Sequence, residues 1–141
     1  MSSQLRPKIT KHKKQFKGFF TVNSGGSLAG TAVHEGDYGL QVLEGGRLND
    51  KQLDNARTAI RRVLKADKGS KLILRAFPDR PVTSKGSEAR MGKGKGAVDY
   101  FAKWLSPGAI VFEVKFCRME IAKEAMRVYF INIGCWCCIT A

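Results

Sequence analysis

Residues 49–65 read Asn49-Asp-Lys-Gln-Leu-Asp-Asn-Ala-Arg-Thr-Ala-Ile-Arg-Arg-Val-Leu-Lys65, and this stretch decides the fold class. Leu53, Ala56, Ile60, Val63 and Leu64 recur at the 3.6-residue spacing of a helix, so one face is apolar. Asn49 suits the N-cap, where a side-chain oxygen can accept from an otherwise orphaned helical N–H. Gln52, at the third helical position, completes a capping box, and Leu48 with Leu53 is spaced for a hydrophobic staple. Gly69 is the expected stop. On the neighbouring stripe Arg57, Arg61 and Lys65 follow at i, i+4 and i+8, with Lys51 and Arg62 further round. The helix therefore has an apolar face for a sheet and a basic face for an acidic partner.

Both flanks of the helix read as strands. On the N-terminal side Gly25-Gly26, Gly30, Gly36 and Gly39 cut the chain into short pieces. Thr31–Val33 and Tyr38–Leu43 are predicted strands there, and Gly45-Gly46 a turn. On the C-terminal side Lys71–Phe77 is a predicted strand, stopped by Pro78 and Pro81 around Asp79-Arg80. A polar, Gly-rich loop covers 83–96. Val98–Leu105 is strand-like, with Tyr100, Phe101 and Trp104. Ser106-Pro107-Gly108 is a turn, and Ala109–Lys115 alternates, with Ile110, Phe112 and Val114 on one face. A second helix is predicted from about Met119 to Tyr129, with Ile121, Ala122, Ala125, Val128 and Tyr129 inward. Two helices over a mostly antiparallel sheet make an α+β, two-layer domain. The chain of 141 residues suits a single domain. Its expected organisation is a basic arm over 1–20, the domain over 21–130 with a long loop at 78–97, and a Cys-rich tail over 131–141.

Charge narrows the function. Lys and Arg number 25 against 12 Asp and Glu, a net +13 with pI near 9.9. Hydrophobic residues are 43% of the chain, enough for a core, so the excess charge is not that of a disordered tail. The positive residues cluster. The arm carries Arg6, Lys8, Lys11, His12, Lys13, Lys14 and Lys17 with no acid; the helix region carries Arg57, Arg61, Arg62, Lys65, Lys68, Lys71 and Arg75 against Asp67; Lys85, Arg90, Lys93 and Lys95 form a third group. Solvated faces usually intersperse both signs, so a polyanion, most commonly nucleic acid, is the expected partner. No membrane is expected: the longest uncharged stretch, Val128–Ala141, is too short to span a bilayer. The basic N-terminus has no apolar core after it, so it reads as an arm and not as a signal peptide.

Arg90-Met91-Gly92-Lys93-Gly94-Lys95-Gly96 is the most specific motif. Glycine at every second position lets the backbone approach a surface, and the intervening cations supply phosphate contacts. The combination suits a loop pushed into folded RNA; the bland alternative is a flexible surface loop. A P-loop needs Ser or Thr after Gly-Lys and a helix next; here Gly96 and a strand follow. No βαβ unit surrounds the glycines, which removes the dinucleotide reading. No Ser lies in a GxSxG context, and Asp99, Glu113 and Glu120 lack a carboxylate partner at motif spacing, so no catalytic site is expected. His34 beside Glu35 and Asp37 reads as a turn. Phe16, Phe19 and Phe20 could stack on unpaired bases, but packing on the domain is the expected role. Cys117, Cys135, Cys137 and Cys138 show no CxxC spacing, and His12 and His34 lie far from them, so reduced thiols and no metal or other cofactor are expected.

These segments together resemble a bacterial-type ribosomal protein of the large subunit, the L-sixteen family. The resemblance rests on Arg6-Pro-Lys-Ile-Thr-Lys11, Lys13-Lys-Gln-Phe-Lys-Gly18, Gly36-Asp-Tyr-Gly-Leu40, Gly46-Arg-Leu48 with Gln52 and Ala56-Arg57, and Arg75-Ala-Phe-Pro-Asp-Arg-Pro-Val-Thr83. Arg90–Gly96 carries it most strongly, followed by Asp99-Tyr100, Trp104, Pro107-Gly108, Phe112-Glu113 and Ile121-Ala-Lys-Glu-Ala125. It covers about residues 5–128. It implies a non-enzymatic constituent that binds large-subunit rRNA, neighbours other ribosomal proteins and organises the aminoacyl-tRNA site, with no small-molecule substrate. It also implies that Arg90, Lys93 and Lys95 contact rRNA close to the tRNA, and that the arm lysines thread between rRNA helices. Gly25-Gly26-Ser27 and Gly30-Thr31 resemble fungal mitochondrial members, which implies the mitochondrial matrix; bacterial and plastid origins stay open. The family has a small residue or glycine where this chain has Phe116-Cys117, and a basic final strand where this chain ends uncharged and Cys-rich. Outside the family, the same clusters would serve a free-standing RNA-binding or RNA-chaperone module.

Overall fold

The computed structural model describes residues 5–19, 29–133 and 137–140. The stretch quoted first forms helix α1, Asp50–Leu64. The Asn49 N–H donates to Gln52 Oε1 at 2.9 Å, the Gln52 half of the expected capping box. Leu53, Ala56, Ile60 and Leu64 are buried, as is Leu48 before them, whereas Arg61 and Arg62 face solvent. The helix stops before Gly69. The Ser70 hydroxyl donates to the Leu64 and Asp67 carbonyls, and Lys65 N–H to Arg61, so the last carbonyls are satisfied in a turn.

The strands are β1 Tyr38–Val42, β2 Gly46–Asn49, β3 Lys71–Leu74, β4 Arg80–Ser84, β5 Ala97–Leu105, β6 Ile110–Lys115 and β7 Cys137–Thr140; helix α2 is Met119–Ile133. The fold is α+β, and its strands divide between two antiparallel sheets, one ordered β3-β6-β1-β7 and one ordered β2-β5-β4. Helix α1 packs chiefly on α2 and also meets β3, β2 and β5, while α2 meets β1 and β7. The core gathers Leu40, Val42, Leu48, Leu53, Ile60, Phe112 and Met126 between these layers.

Several elements differ from the sequence expectation, each for a physical reason. Thr31–Val33 is not a strand; the N–H groups just after it, at His34, Glu35 and Gly36, are committed to a carboxylate. Gly46 opens β2 instead of closing a turn. Pro81 lies inside β4, which is tolerated because β4 is an edge strand, where a missing N–H leaves no ladder bond unmade. The polar loop therefore spans 85–96 and not 78–97, and it is the tip of the β4–β5 hairpin. β3 ends at Leu74, short of Phe77. In β6 every residue from Ile110 to Val114 is buried, so the strand is covered on both sides and not only on the expected face. Helix α2 runs on to Ile133, and buried Met126 joins Ala122 and Ala125 on its inner side. The Tyr129 side chain lies outside the described residues. The Cys-rich end contributes β7, which pairs with β1 through Gly39↔Thr140 and Gln41↔Cys138.

Glu113 ties the sheet to the chain before β1. It is fully buried and accepts the N–H groups of His34, Glu35 and Gly36 at 3.2, 3.0 and 2.9 Å, with an ion pair to Arg75. Burial by itself pushes a carboxyl pKa up; the three N–H donors and the guanidinium outweigh it and hold Glu113 below the usual value.

Candidate nucleic-acid interface

Two of the three basic clusters come together. The arm is tethered at its start: Leu5 is buried, and Arg6 Nε donates to the fully buried Asp50 at 3.1 Å while its guanidinium lies 5.9 Å from the Phe101 ring centroid. Arg6 is thus an anchor of the arm as well as one of its charges. Lys8, Lys11, His12, Lys13, Lys14 and Lys17 are all exposed. Further on, the arm meets the hairpin tip. Lys14 Nζ donates to the Lys95 carbonyl at 2.8 Å, and Lys95 Nζ sits 5.1 Å from the Phe16 ring centroid. The Phe16 and Phe19 side chains are not packed on the domain, contrary to expectation: Phe16 is 91% exposed and Phe19 fully so. Phe20 lies outside the described residues.

The hairpin tip explains its own glycines. Gly92, Lys93 and Gly94 have φ of 93°, 55° and 84°, a run of left-handed residues that a chain of ordinary side chains would not adopt. At the base, a Cβ on Gly96 would lie 2.2 Å from the Ser84 carbonyl oxygen, so only glycine lets the two limbs of the hairpin cross there. Lys85 Nζ donates to the Gly92 carbonyl and closes the loop on itself. Residues 84–97 enclose a concavity of about 540 Å³. Lys85, Arg90, Met91, Lys93 and Lys95 are exposed, Met91 at 99%, and neither Arg90 nor Lys93 is held by a carboxylate in any described ion pair. Free cations on an ordered loop can bind phosphate without first giving up a protein partner.

The helical stripe faces elsewhere. Arg57 is half-buried; Arg61, Arg62 and Lys65 are exposed. Arg61 and Lys65 line a separate groove of about 730 Å³ with Lys68, Lys71 and Lys115. Sequence reasoning did not single out Lys115, because its placement depends on strand pairing. It did not foresee the roles of Asp50 and Glu113 either; an acid amid basic or apolar neighbours was the available signal. On the smaller sheet Trp104 lies between two guanidiniums, Arg47 at 5.6 Å and Arg80 at 5.2 Å from its ring centroid. Among the described residues, no cluster of His, Cys, Asp or Glu is placed to hold a metal ion, and no helix is long and apolar enough to cross a membrane.

The chain is similar to known proteins over most of its length. The profile of the family described as ribosomal protein L16p/L10e matches residues 7–132. The chain is 47% identical over 124 residues to the large ribosomal subunit protein uL16 of Bartonella bacilliformis, covering 88% of this chain and 87% of that protein. It is 47% identical over 124 residues to the uL16 of Caulobacter vibrioides, covering 88% and 83%. For the uL16 of Mesorhizobium japonicum the identity is 46% over 124 residues, covering 88% and 87%.

Proposed function

The chain belongs to the ribosomal protein L16p/L10e family, and from that premise we propose how its surface is used. It is a structural constituent of the large ribosomal subunit with no enzymatic role, and its partners are rRNA and other ribosomal proteins. Within that role, the arm residues Arg6, Lys8, Lys11, His12, Lys13, Lys14 and Lys17 neutralise phosphates between rRNA helices. Arg57, Arg61, Arg62 and Lys65 contact rRNA along α1. Lys85, Arg90, Lys93 and Lys95 contact rRNA from the hairpin tip, and residues 90–96 lie beside the aminoacyl-site tRNA. The arm (1–20) and the α+β body (21–130) serve as distinct functional parts, and the Cys-rich end (131–141) supports the body by completing α2 and supplying β7.

The junction of arm and loop carries this reading. The Lys14–Lys95 hydrogen bond and the Phe16–Lys95 contact make one basic projection from two segments far apart in sequence. Such a projection neutralises several phosphates at once and reads RNA by shape more than by base sequence. The expected outcome is co-sedimentation with the large subunit in high salt. Lys93→Ala combined with Lys95→Ala is expected to lower subunit incorporation or aminoacyl-tRNA binding with the fold intact. Unaltered occupancy together with unaltered tRNA binding overturns the role given to the loop.

The compartment we propose is the mitochondrial matrix, supported by the resemblance of Gly25-Gly26-Ser27 and Gly30-Thr31 to fungal mitochondrial members; the relatives compared above are bacterial. A tagged chain should co-purify with large mitoribosomal subunits from isolated organelles. Recovery only with bacterial-type cytoplasmic or plastid ribosomes contradicts it.

A further inference from the structure

One end of the larger sheet carries two adjacent residues that each oppose folding. Lys115 stands opposite Lys71 in the antiparallel register, so two like charges face each other across the strands. Phe116, the next residue, has φ 57°, a left-handed conformation that residues with a side chain disfavour. Its side chain is not compensated by burial, being 62% exposed. The Phe116 N–H donates to Asp37 Oδ2 at 2.7 Å, which fixes the backbone there, and the Lys115 ammonium lies 5.6 Å from the ring centroid. Lys115 also lines the 730 Å³ groove whose other cations are Arg61, Lys65, Lys68 and Lys71, against the carboxylates of Glu35 and Asp67.

We infer that this groove, together with the Phe116 ring beside its lining residue Lys115, is a docking site for a single-stranded RNA segment. An unpaired base stacks on the Phe116 ring. Its flanking phosphates lie between Lys71 and Lys115 and along Arg61, Lys65 and Lys68. A phosphate between the two lysines removes their mutual repulsion, and a base covers the part of the ring that stays exposed beside Lys115. The surplus of cations favours a polyanion over a protein edge. A lone exposed ring favours an unpaired base over a duplex, whose bases are already stacked on each other. The inference rests on the reading of the chain as an rRNA-binding constituent, and it adds a site whose lining includes no residue of the arm or the hairpin tip.

The test uses the full chain with a fluorescein-labelled single-stranded octaribonucleotide and a blunt RNA duplex of equal charge. Phe116→Gly is expected to weaken binding of the single strand about tenfold, to leave duplex binding unchanged, and to keep the Tm at or above that of the parent. Phe116→Trp should retain single-strand binding. Lys71→Met and Lys115→Met should each lower the salt dependence of single-strand binding by about 0.7 in log–log slope. With 4-thiouridine in the octamer, photocrosslinks should map to the peptide containing Lys115 and Phe116. The inference is overturned if Phe116→Gly binds the single strand like the parent, if it loses single strand and duplex equally, or if crosslinks fall only on the arm and the hairpin tip. The Lys93→Ala, Lys95→Ala variant separates the two readings. An effect there with none at Phe116 removes the groove and leaves the ribosomal reading standing; no effect from either on RNA binding or subunit incorporation removes both.

Discussion

Glu113 sets the pH response of the fold at the scale of one residue. Its folded pKa lies below the unfolded one, so the stability it contributes is fully present above the ordinary glutamate value near 4.5 and is lost as pH falls through the lower folded value. Glu113→Gln should cost about 1–3 kcal/mol at neutral pH, because charge-assisted bonds to three N–H groups and Arg75 are weakened. It should also flatten the acid limb. Urea midpoints measured from pH 7 to pH 3 check both expectations, and parallel curves for variant and parent would contradict the second. Gly96 is the other decisive residue. Gly96→Ala places a Cβ against the Ser84 backbone, where nothing flexible can yield, and should cost about 1–3 kcal/mol by thermal or chemical unfolding. The alternating glycines around it were visible as a motif from the start. Why the last of them must be glycine was not visible, because the clash is with a strand twelve residues back.

Local signals read well at the scale of elements and paired ones read poorly. Helix α1 is legible because apolar spacing and the Asn49–Gln52 cap lie within one segment. Strands β2 and β4 were hidden by Gly46 and Pro81, residues that usually end strands but are tolerated here, Pro81 because β4 is an edge. Strand β7 was hidden because its partner, β1, lies about a hundred residues earlier. The arm is anchored at its start by buried Leu5 and the Arg6–Asp50 ion pair, and further on by Lys14 and Phe16 against Lys95. Arg6→Met leaves Asp50 buried without its cation at the start of α1. Because Arg6 is itself partly exposed, the expected cost is modest, about 1–2 kcal/mol. The clearer effect should be earlier tryptic cleavage within 8–17. Parent-like cleavage kinetics in that segment would show that Arg6 does not hold the arm.

The charge acts as a field when the molecule is taken whole. The arm and hairpin tip share one surface, and the α1 stripe continues into the groove of Lys71 and Lys115. Binding to rRNA fragments should weaken steeply with salt, with a log–log slope near 0.7–0.9 per phosphate neutralised. Lys93→Ala with Lys95→Ala should lower that slope by about 1.5 while leaving the unfolding free energy from urea midpoints within about 0.5 kcal/mol of the parent, because exposed cations contribute little to stability. Filter binding across a salt series checks the slope. A changed midpoint would mean that the loop has a structural role beyond its charge.

By itself, the sequence determined the single α+β body, the basic arm, the amphipathic helix and the Gly-Lys loop. Each of these depends on residues close together in the chain, where composition, spacing and capping act directly. Only the tertiary structure decided which charges stand together. It brought Lys14 and Phe16 onto Lys95, set Lys71 against Lys115, and buried Asp50 and Glu113 beside their arginines. Those pairings follow from sheet register and hairpin closure, and such long-range contacts leave no periodic mark on the chain that makes them.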